Sequence, residues 1–105
     1  MTVFKFSTSQ LEARIRRTAL DNTLVNFSNH ARVQMRRRHI PADVVLEVLR
    51  QGRIRRTPEP NLSKGSVECL MERFVAGLQT GVVAAVSDEH PQVVVVTAMH
   101  TGGST

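Results

Sequence analysis

The sequence predicts an α+β fold in which two to three N-terminal helices pack on an antiparallel sheet of about four strands. Three observations lead to this fold class. Apolar residues recur at helical spacing in the first half of the chain, apolar and polar residues alternate from Arg53 onward, and the most apolar run, residues 92–99, has the length of one strand. With 105 residues, 41% of them hydrophobic, the chain is expected to form one domain, residues 1–105, with one core.

The first helix is predicted over residues 10–20, because Ser9 and Glu12 have the spacing of a capping box and apolar residues follow at helical intervals. Its three arginines lie off the apolar stripe, which is typical of a solvated face. The second helix is predicted over residues 29–38, since Ser28 is a suitable N-cap.

The third helix is predicted over residues 41–51, because Pro41 is well placed to begin a helix and Gly52 to end one. Glu47 and Arg50 have the spacing of a weak surface ion pair on this helix. Four strands are then predicted, over residues 53–57, 67–75, 82–86 and 92–99, with a turn-rich loop over residues 58–65. The last strand is expected to be covered on both faces. Residues 1–6 are expected to form an edge strand or an arm, and residues 101–105 a frayed end.

Positive charge is concentrated in the middle of the chain. The formal net charge is +5, and eight of the 14 Lys and Arg residues fall within residues 29–56. Such a local excess is expected where a protein contacts nucleic acid or another polyanion. Because the chain has no Trp or Tyr, phosphate contact is a better expectation than aromatic stacking on bases.

Cysteine content and hydropathy predict a cytoplasmic protein without a membrane partner. Cys69 is the single cysteine, so no internal disulfide can form, and it is expected to be a small buried hydrophobe. No segment matches a signal peptide or a membrane span. The four histidines show no metal-ligand spacing, so neither a metal nor another cofactor is expected.

Residues 28–41 contain two histidines and four arginines, the densest cluster of chemically active side chains in the chain. On a helix, His30 shares one polar face with Gln34, Arg37 and Arg38. An imidazole that exchanges a proton near neutral pH and guanidinium groups that hold anionic oxygens together suit a phosphate-bearing substrate. The alternative is a solvated basic helix without chemistry.

The order of short motifs resembles that of a bacterial family. The first motif is the start of a helix and its exit, with a histidine, an arginine and an isoleucine. The second is a valine-rich helix that ends in glycine, and the third is a valine-rich strand with a threonine. The first comprises Ser28, His30, Ala31, Met35, Arg38 and Ile40, the second ends at Gly52, and the third contains Thr97. Over residues 27–100 the chain is similar to domain-of-unknown-function family 4258. It departs from that pattern at Gln34, where the family usually has arginine, and at His39, where it usually has glycine.

This resemblance implies a fold similar to that of the RelE-like and barnase-like ribonuclease toxins. It therefore implies a small toxin-like, metal-independent endoribonuclease that acts on RNA, with a cognate antitoxin or immunity protein as a partner. In such a reaction the substrate 2′-hydroxyl is the nucleophile, and the protein supplies a base, an acid and cations.

The residues assigned to this chemistry come from the central helix and the last strand. His30 is the candidate base or acid, Arg38 the phosphate cation, and Thr97 or His100 a partner from the last strand. His90 is expected to be a surface residue. The predicted nucleic-acid-binding residues are Arg32, Arg36, Arg37, Arg53, Arg55, Arg56 and Lys64. The alternative function is a non-catalytic module of the same fold that binds RNA, DNA or an acidic protein through these arginines.

Overall fold

The first helix begins earlier than the sequence predicts, and a different residue pair caps it. The structure, a computed structural model, describes residues 5–101; most of the predicted N-terminal arm and frayed C-terminal end therefore lie outside the described residues. Helix α1 spans Thr8–Thr18, and the Ser7 hydroxyl accepts from the Gln10 amide at 3.1 Å while Gln10 Oε1 accepts from the Ser7 amide at 2.8 Å. The capping box predicted at Ser9 and Glu12 is therefore wrong.

Helices α2 and α3 agree closely with the prediction. Helix α2 spans Asn29–Arg38 and α3 spans Ala42–Gln51. The Ser28 hydroxyl accepts from the Ala31 amide at 3.0 Å, as an N-cap should, and also donates to the Val96 carbonyl at 3.1 Å. One side chain thus starts α2 and joins it to the sheet. None of the described helices is long and apolar enough to cross a membrane.

The sheet of the described residues contains six strands, two more than predicted. They are β1 (Val25–Phe27), β2 (Arg53–Ile54), β3 (Glu59–Asn61), β4 (Ser66–Val75), β5 (Leu78–Ser87) and β6 (Val93–His100). Their order is β1-β6-β5-β4-β2, with β3 also beside β4, and β1 runs parallel to β6 while the other pairs are antiparallel. The predicted strand over residues 53–57 shrinks to two residues, and β3 forms inside the predicted loop.

Helices α1 and α3 cover one face of the sheet. Their buried side chains, including Ile15, Val45 and Leu49, form one core with alternate residues of the three long strands. On β6, Val93 and Val95 are fully buried whereas Val94 is 37% exposed, so the prediction that this strand is covered on both faces is wrong. Helix α2 instead lies along β6 beyond the end of β1 and contributes the buried Ala31. We call the face opposite α1 and α3 the open face.

Close packing of backbone fixes α3 against β4. A Cβ atom at Gly52 would lie 2.4 Å from the Val48 carbonyl oxygen and 2.8 Å from the Glu72 carbonyl oxygen. Real Cβ atoms do not approach oxygen so closely, so a glycine is required for the helix to end on the strand. The predicted Glu47–Arg50 pair does not form: Glu47 binds Arg73 at 3.0 Å, and Arg50 donates to the Ala19 carbonyl at 2.6 Å.

Candidate functional site

A groove of about 700 Å³ lies on the open face, between the start of α2 and the turns that precede β4 and β6. Its floor contains Val94, Val96 and Ala85. Around this apolar floor stand ionisable and hydrogen-bonding side chains, which are His30, His90, Lys64, Glu68, Asn26, Ser28, Ser66, Ser87 and Gln92. An apolar surface with a few polar groups at its rim is typical of a site for a small organic ligand or one unit of a polymer.

Strand register sets the width of this groove. Asn26 of β1 pairs with Val94 of β6, Val94 pairs with Ala85 of β5, and Ala85 pairs with Glu68 of β4. The four residues therefore form one row across four strands. Three strand spacings of about 4.8 Å separate the ends of the row by roughly 14 Å. A single nucleotide can therefore lie between the polar groups at the two ends.

His30 stands at the α2 side of the groove. It is the second residue of α2, its side chain is exposed, and its ring has no hydrogen-bond partner among residues 5–101. The N-terminus of a helix presents free N–H groups and partial positive charge, which favours an anion nearby. A phosphate and a free imidazole can meet at this point.

Lys64 reaches the groove from the turn between β3 and β4. Asn61 orders this turn, because its side-chain oxygen accepts from the Lys64 amide at 3.2 Å and from the Ser63 hydroxyl at 2.9 Å. Gly65 follows with a positive φ of 64°, which glycine adopts readily. Lys64, one of the predicted nucleic-acid-binding residues, therefore lies at the groove.

His90 enters the groove from the turn between β5 and β6, and an arginine of α1 holds that turn. Arg14 Nη2 donates to the Ser87 carbonyl at 2.6 Å and to the His90 carbonyl at 3.2 Å. Arg14 is therefore not simply part of a solvated helix face. His90 is exposed, as predicted, but its place beside the groove was not predicted.

Arg38 and Thr97 are not among the residues that line the groove. Arg38 is at the last position of α2, roughly 12 Å along the axis from His30, and its Nη1 donates to the Ala98 carbonyl at 2.7 Å. The His100 ring contacts the Arg38 carbonyl at 3.2 Å. Thr97 pairs with Val83 on β5. The structure thus brings Arg38 and His100 together at the opposite end of α2 from His30, while Thr97 lies on β6 between Val96 of the groove and the Ala98 carbonyl that Arg38 binds.

The other arginines of α2 divide between two sides of the helix. Arg37 follows His30 by nearly two full turns and so lies on the same side. Arg32 and Arg36 fall on the other side, where they line a shallow cavity of about 530 Å³ together with His39. Arg32 also donates to the Phe27 carbonyl at 3.3 Å and lies 5.9 Å from the centre of the Phe27 ring.

The second arginine cluster lies at the far edge of the sheet. Arg53 pairs in register with Glu72, and the Arg55 amide donates to the Leu70 carbonyl at 3.1 Å. Arg56 forms an ion pair with Glu59 at 3.5 Å. Carboxylates therefore offset part of the charge of this cluster, whereas α2 contains no acidic residue.

Cys69 plays no part in the groove. Its side chain is fully buried on the core face of β4, and burial raises the pKa of its thiol to about 11. A protonated, inaccessible thiol is a packing group rather than a nucleophile.

Comparison with known families agrees with the motif order. Residues 27–100 match the family described as a domain of unknown function, DUF4258, and this span is more than half of the chain. The chain belongs to the DUF4258 family. The DUF4258 span contains α2, α3, five complete strands and every groove residue named above except Asn26, while α1 and Arg14 precede it. Comparisons with curated proteins and with solved structures gave no match.

Two groove residues of this DUF4258 protein have no strong signal in the sequence. Glu68 alternates with buried residues on β4, a position that predicts only a solvent-facing side chain. His90 precedes a proline in a turn, which predicts exposure and nothing more. Both residues are more than 35 positions from His30 in the sequence. Sheet register brings Glu68 to the groove, and turn geometry brings His90 there.

Proposed function

We propose that this protein is a metal-independent endoribonuclease that cleaves RNA in the groove on the open face. The observation that carries the proposal is the presence of two imidazoles, His30 and His90, and one ammonium group, Lys64, around a single groove with an apolar floor. Imidazoles exchange protons near neutral pH, and RNA carries its own nucleophile in the 2′-hydroxyl. The protein then needs only proton transfer and charge stabilisation.

In the proposed reaction the 2′-oxygen attacks the adjacent phosphorus, so that an O2′–P bond forms and the P–O5′ bond breaks. His30 accepts the proton of the 2′-hydroxyl, and His90 donates a proton to the leaving 5′-oxygen. Lys64 neutralises charge on the pentacoordinate phosphate. The products are a 2′,3′-cyclic phosphate and a 5′-hydroxyl. Arg38, at the end of α2, and Thr97, which follows Val96 of the groove, would contact the neighbouring part of the RNA strand.

We also propose the context that goes with such an activity. Two helices on one face of a largely antiparallel sheet, with a polar groove on the other, support a fold similar to that of the RelE-like and barnase-like ribonuclease toxins. A nuclease of this kind acts in the cytoplasm and needs an inhibitor, so a cognate antitoxin or immunity protein is the expected partner.

The test is cleavage of a mixed-sequence RNA oligonucleotide by purified protein. We expect wild type to cut the RNA, to leave DNA of the same sequence intact, and to work equally well with a chelator present. His30→Ala and His90→Ala should each lower the rate by about 10²–10⁴-fold, the usual contribution of a general acid or base. His39→Asn is the matched control, because His39 lies on the same helix away from the groove. If the His30→Ala and His90→Ala variants cleaved RNA as fast as the His39→Asn variant, the assignment of His30 and His90 as base and acid would be excluded.

A second function is favoured by the unpaired arginines of α2. The side chains of Arg36 and Arg37 have no hydrogen bond or ion pair within the described part of the chain. Such groups suit a non-catalytic module that binds RNA, DNA or an acidic protein. If wild type binds the oligonucleotide, with an affinity that falls as salt rises, but never cleaves it, this second function replaces the first.

A further inference from the structure

Glu68 is a carboxylate beside the floor of the groove, and no other described side chain binds it. It is the third residue of β4 and is half-buried, and its carboxylate forms neither a hydrogen bond nor an ion pair within residues 5–101. A carboxylate accepts hydrogen bonds through two oxygens, and a partly desolvated one is stabilised by donors. The other ionisable groove residues are exposed, so Glu68 alone is in this position.

Its neighbour across the strand makes the position less favourable still. Glu68 pairs directly with Glu59 of β3, and like charges opposite one another destabilise a sheet. Glu59 has its own counterion in Arg56, at 3.5 Å, whereas Glu68 has none among the described residues. A residue that weakens the sheet and has no structural partner is expected to serve a ligand.

The surface beside Glu68 suits a flat, apolar group. Ala85 and Val94 lie next to Glu68 in the same row across the sheet. Val94 is 37% exposed on this face, whereas Val93 and Val95, on the core face of β6, are fully buried. Cationic or proton-carrying side chains, Lys64, His30 and His90, stand around the row. A planar base on the floor with phosphates at the rim matches this distribution.

We propose that Glu68 recognises a guanine base of single-stranded RNA bound in the groove, an inference that rests on the proposed function only in placing RNA there. Guanine presents two adjacent donors, N1–H and the N2 amino group, on its Watson–Crick edge, and these match the two oxygens of one carboxylate. Adenine and cytosine place a ring-nitrogen acceptor beside their single amino group. Uracil places carbonyl acceptors on both sides of its N–H. A carboxylate therefore attracts guanine and opposes the other three bases.

The experiment measures binding of RNA that cannot be cleaved. Oligouridylates whose 2′-hydroxyls are all methylated carry one central guanine, hypoxanthine or adenine, or remain all uracil. We expect wild type to bind the guanine form about tenfold more tightly than the adenine or uracil form, which is the order of discrimination expected of one bidentate base contact. The hypoxanthine form lacks the N2 amino group and should bind with intermediate affinity.

Two variants test the assignment to this carboxylate. Glu68→Gln should reduce the preference for guanine to less than threefold without lowering the melting temperature. Glu59→Gln, the matched control on the adjacent strand, should keep the wild-type preference. Equal binding of all four oligonucleotides by wild type, or no binding of any, overturns the proposal, and so does a Glu68→Gln variant that keeps its preference. Because these ligands cannot be cleaved, a guanine preference can stand even if the ribonuclease assay fails, and cleavage without preference leaves the proposed function intact.

Discussion

His39 ends helix α2 in the left-handed conformation, with φ of 55° and ψ of 46°. The Ile40 amide donates to the Met35 carbonyl at 2.9 Å, and Ile40 itself is buried, which is the hydrogen-bond pattern and apolar contact of a glycine-type helix end. A residue with a Cβ atom is strained here by about 1–2 kcal/mol. A helix end of this geometry therefore favours glycine at the position where this chain has histidine.

We predict that His39→Gly stabilises the protein by about 1 kcal/mol, because it removes this strain. In a domain of this size the melting temperature should rise by roughly 4–8 °C. Thermal unfolding followed by circular dichroism measures the change. His39→Asn should give a smaller gain, since asparagine tolerates the same conformation better than most residues. A melting temperature at or below that of wild type for the glycine variant would contradict the prediction.

At the scale of elements, sequence patterns identify the helices, the three long strands and the position of β2, but not β1 and β3. Helices α2 and α3 have end signals in Ser28 and Gly52 that depend on local chemistry, so they can be predicted within a residue. Strands β1 and β3 have three residues each, too few for a two-residue period to be visible. Their existence depends on long-range pairing with β6 and β4, which no local pattern encodes.

The site divides in the same way. His30 and Lys64 could be selected from the sequence because their residue types and neighbours are distinctive. Glu68 and His90 could not, because sheet register and a turn held by Arg14 bring them to the groove. The predicted partner Arg38 lies at the other end of α2, since a helix that begins at the groove carries its last residue away from it.

Helix α1 is predicted to influence the groove through Arg14 although it lies on the opposite face. Arg14→Met removes the hydrogen bonds to the Ser87 and His90 carbonyls and should leave the turn over residues 87–92 less ordered. We expect faster amide hydrogen exchange in that turn and about a tenfold loss of RNA cleavage, because His90 loses its position.

Arg17→Met is the control for this effect, since Arg17 is an exposed arginine of the same helix whose side chain has no hydrogen bond or ion pair among the described residues. It should exchange and cleave like wild type. If Arg14→Met changes exchange in the turn but not the cleavage rate, His90 does not donate the proton.

At the scale of the whole molecule, positive charge is uncompensated on one side of the sheet and partly compensated by carboxylates on the other. Helix α2, which lies along β6 beyond the end of the edge strand β1, carries four arginines and no acid. At the β2 edge, Glu72 stands opposite Arg53 and Glu59 binds Arg56. An RNA strand should therefore be attracted mainly to α2. Only Arg37 among the unpaired arginines of that helix shares the side of His30, so it is the residue best placed to hold a phosphate of RNA whose base lies in the groove.

This geometry predicts different effects of two adjacent arginines on salt dependence. Each phosphate contact to single-stranded nucleic acid contributes about 0.7 to the slope of log affinity against log salt concentration. Arg37→Gln should reduce the slope for the methylated guanine oligonucleotide by about that amount and weaken binding at low salt. Arg36→Gln removes the same charge one position away, on the side of the other cavity, and should change the slope by less than half as much. Fluorescence anisotropy titrations at several salt concentrations measure both slopes. Equal slopes for the two variants would mean that RNA binding depends on the total charge of α2 and not on a specific phosphate contact at Arg37. Only a bound strand with a defined position can distinguish two neighbouring arginines.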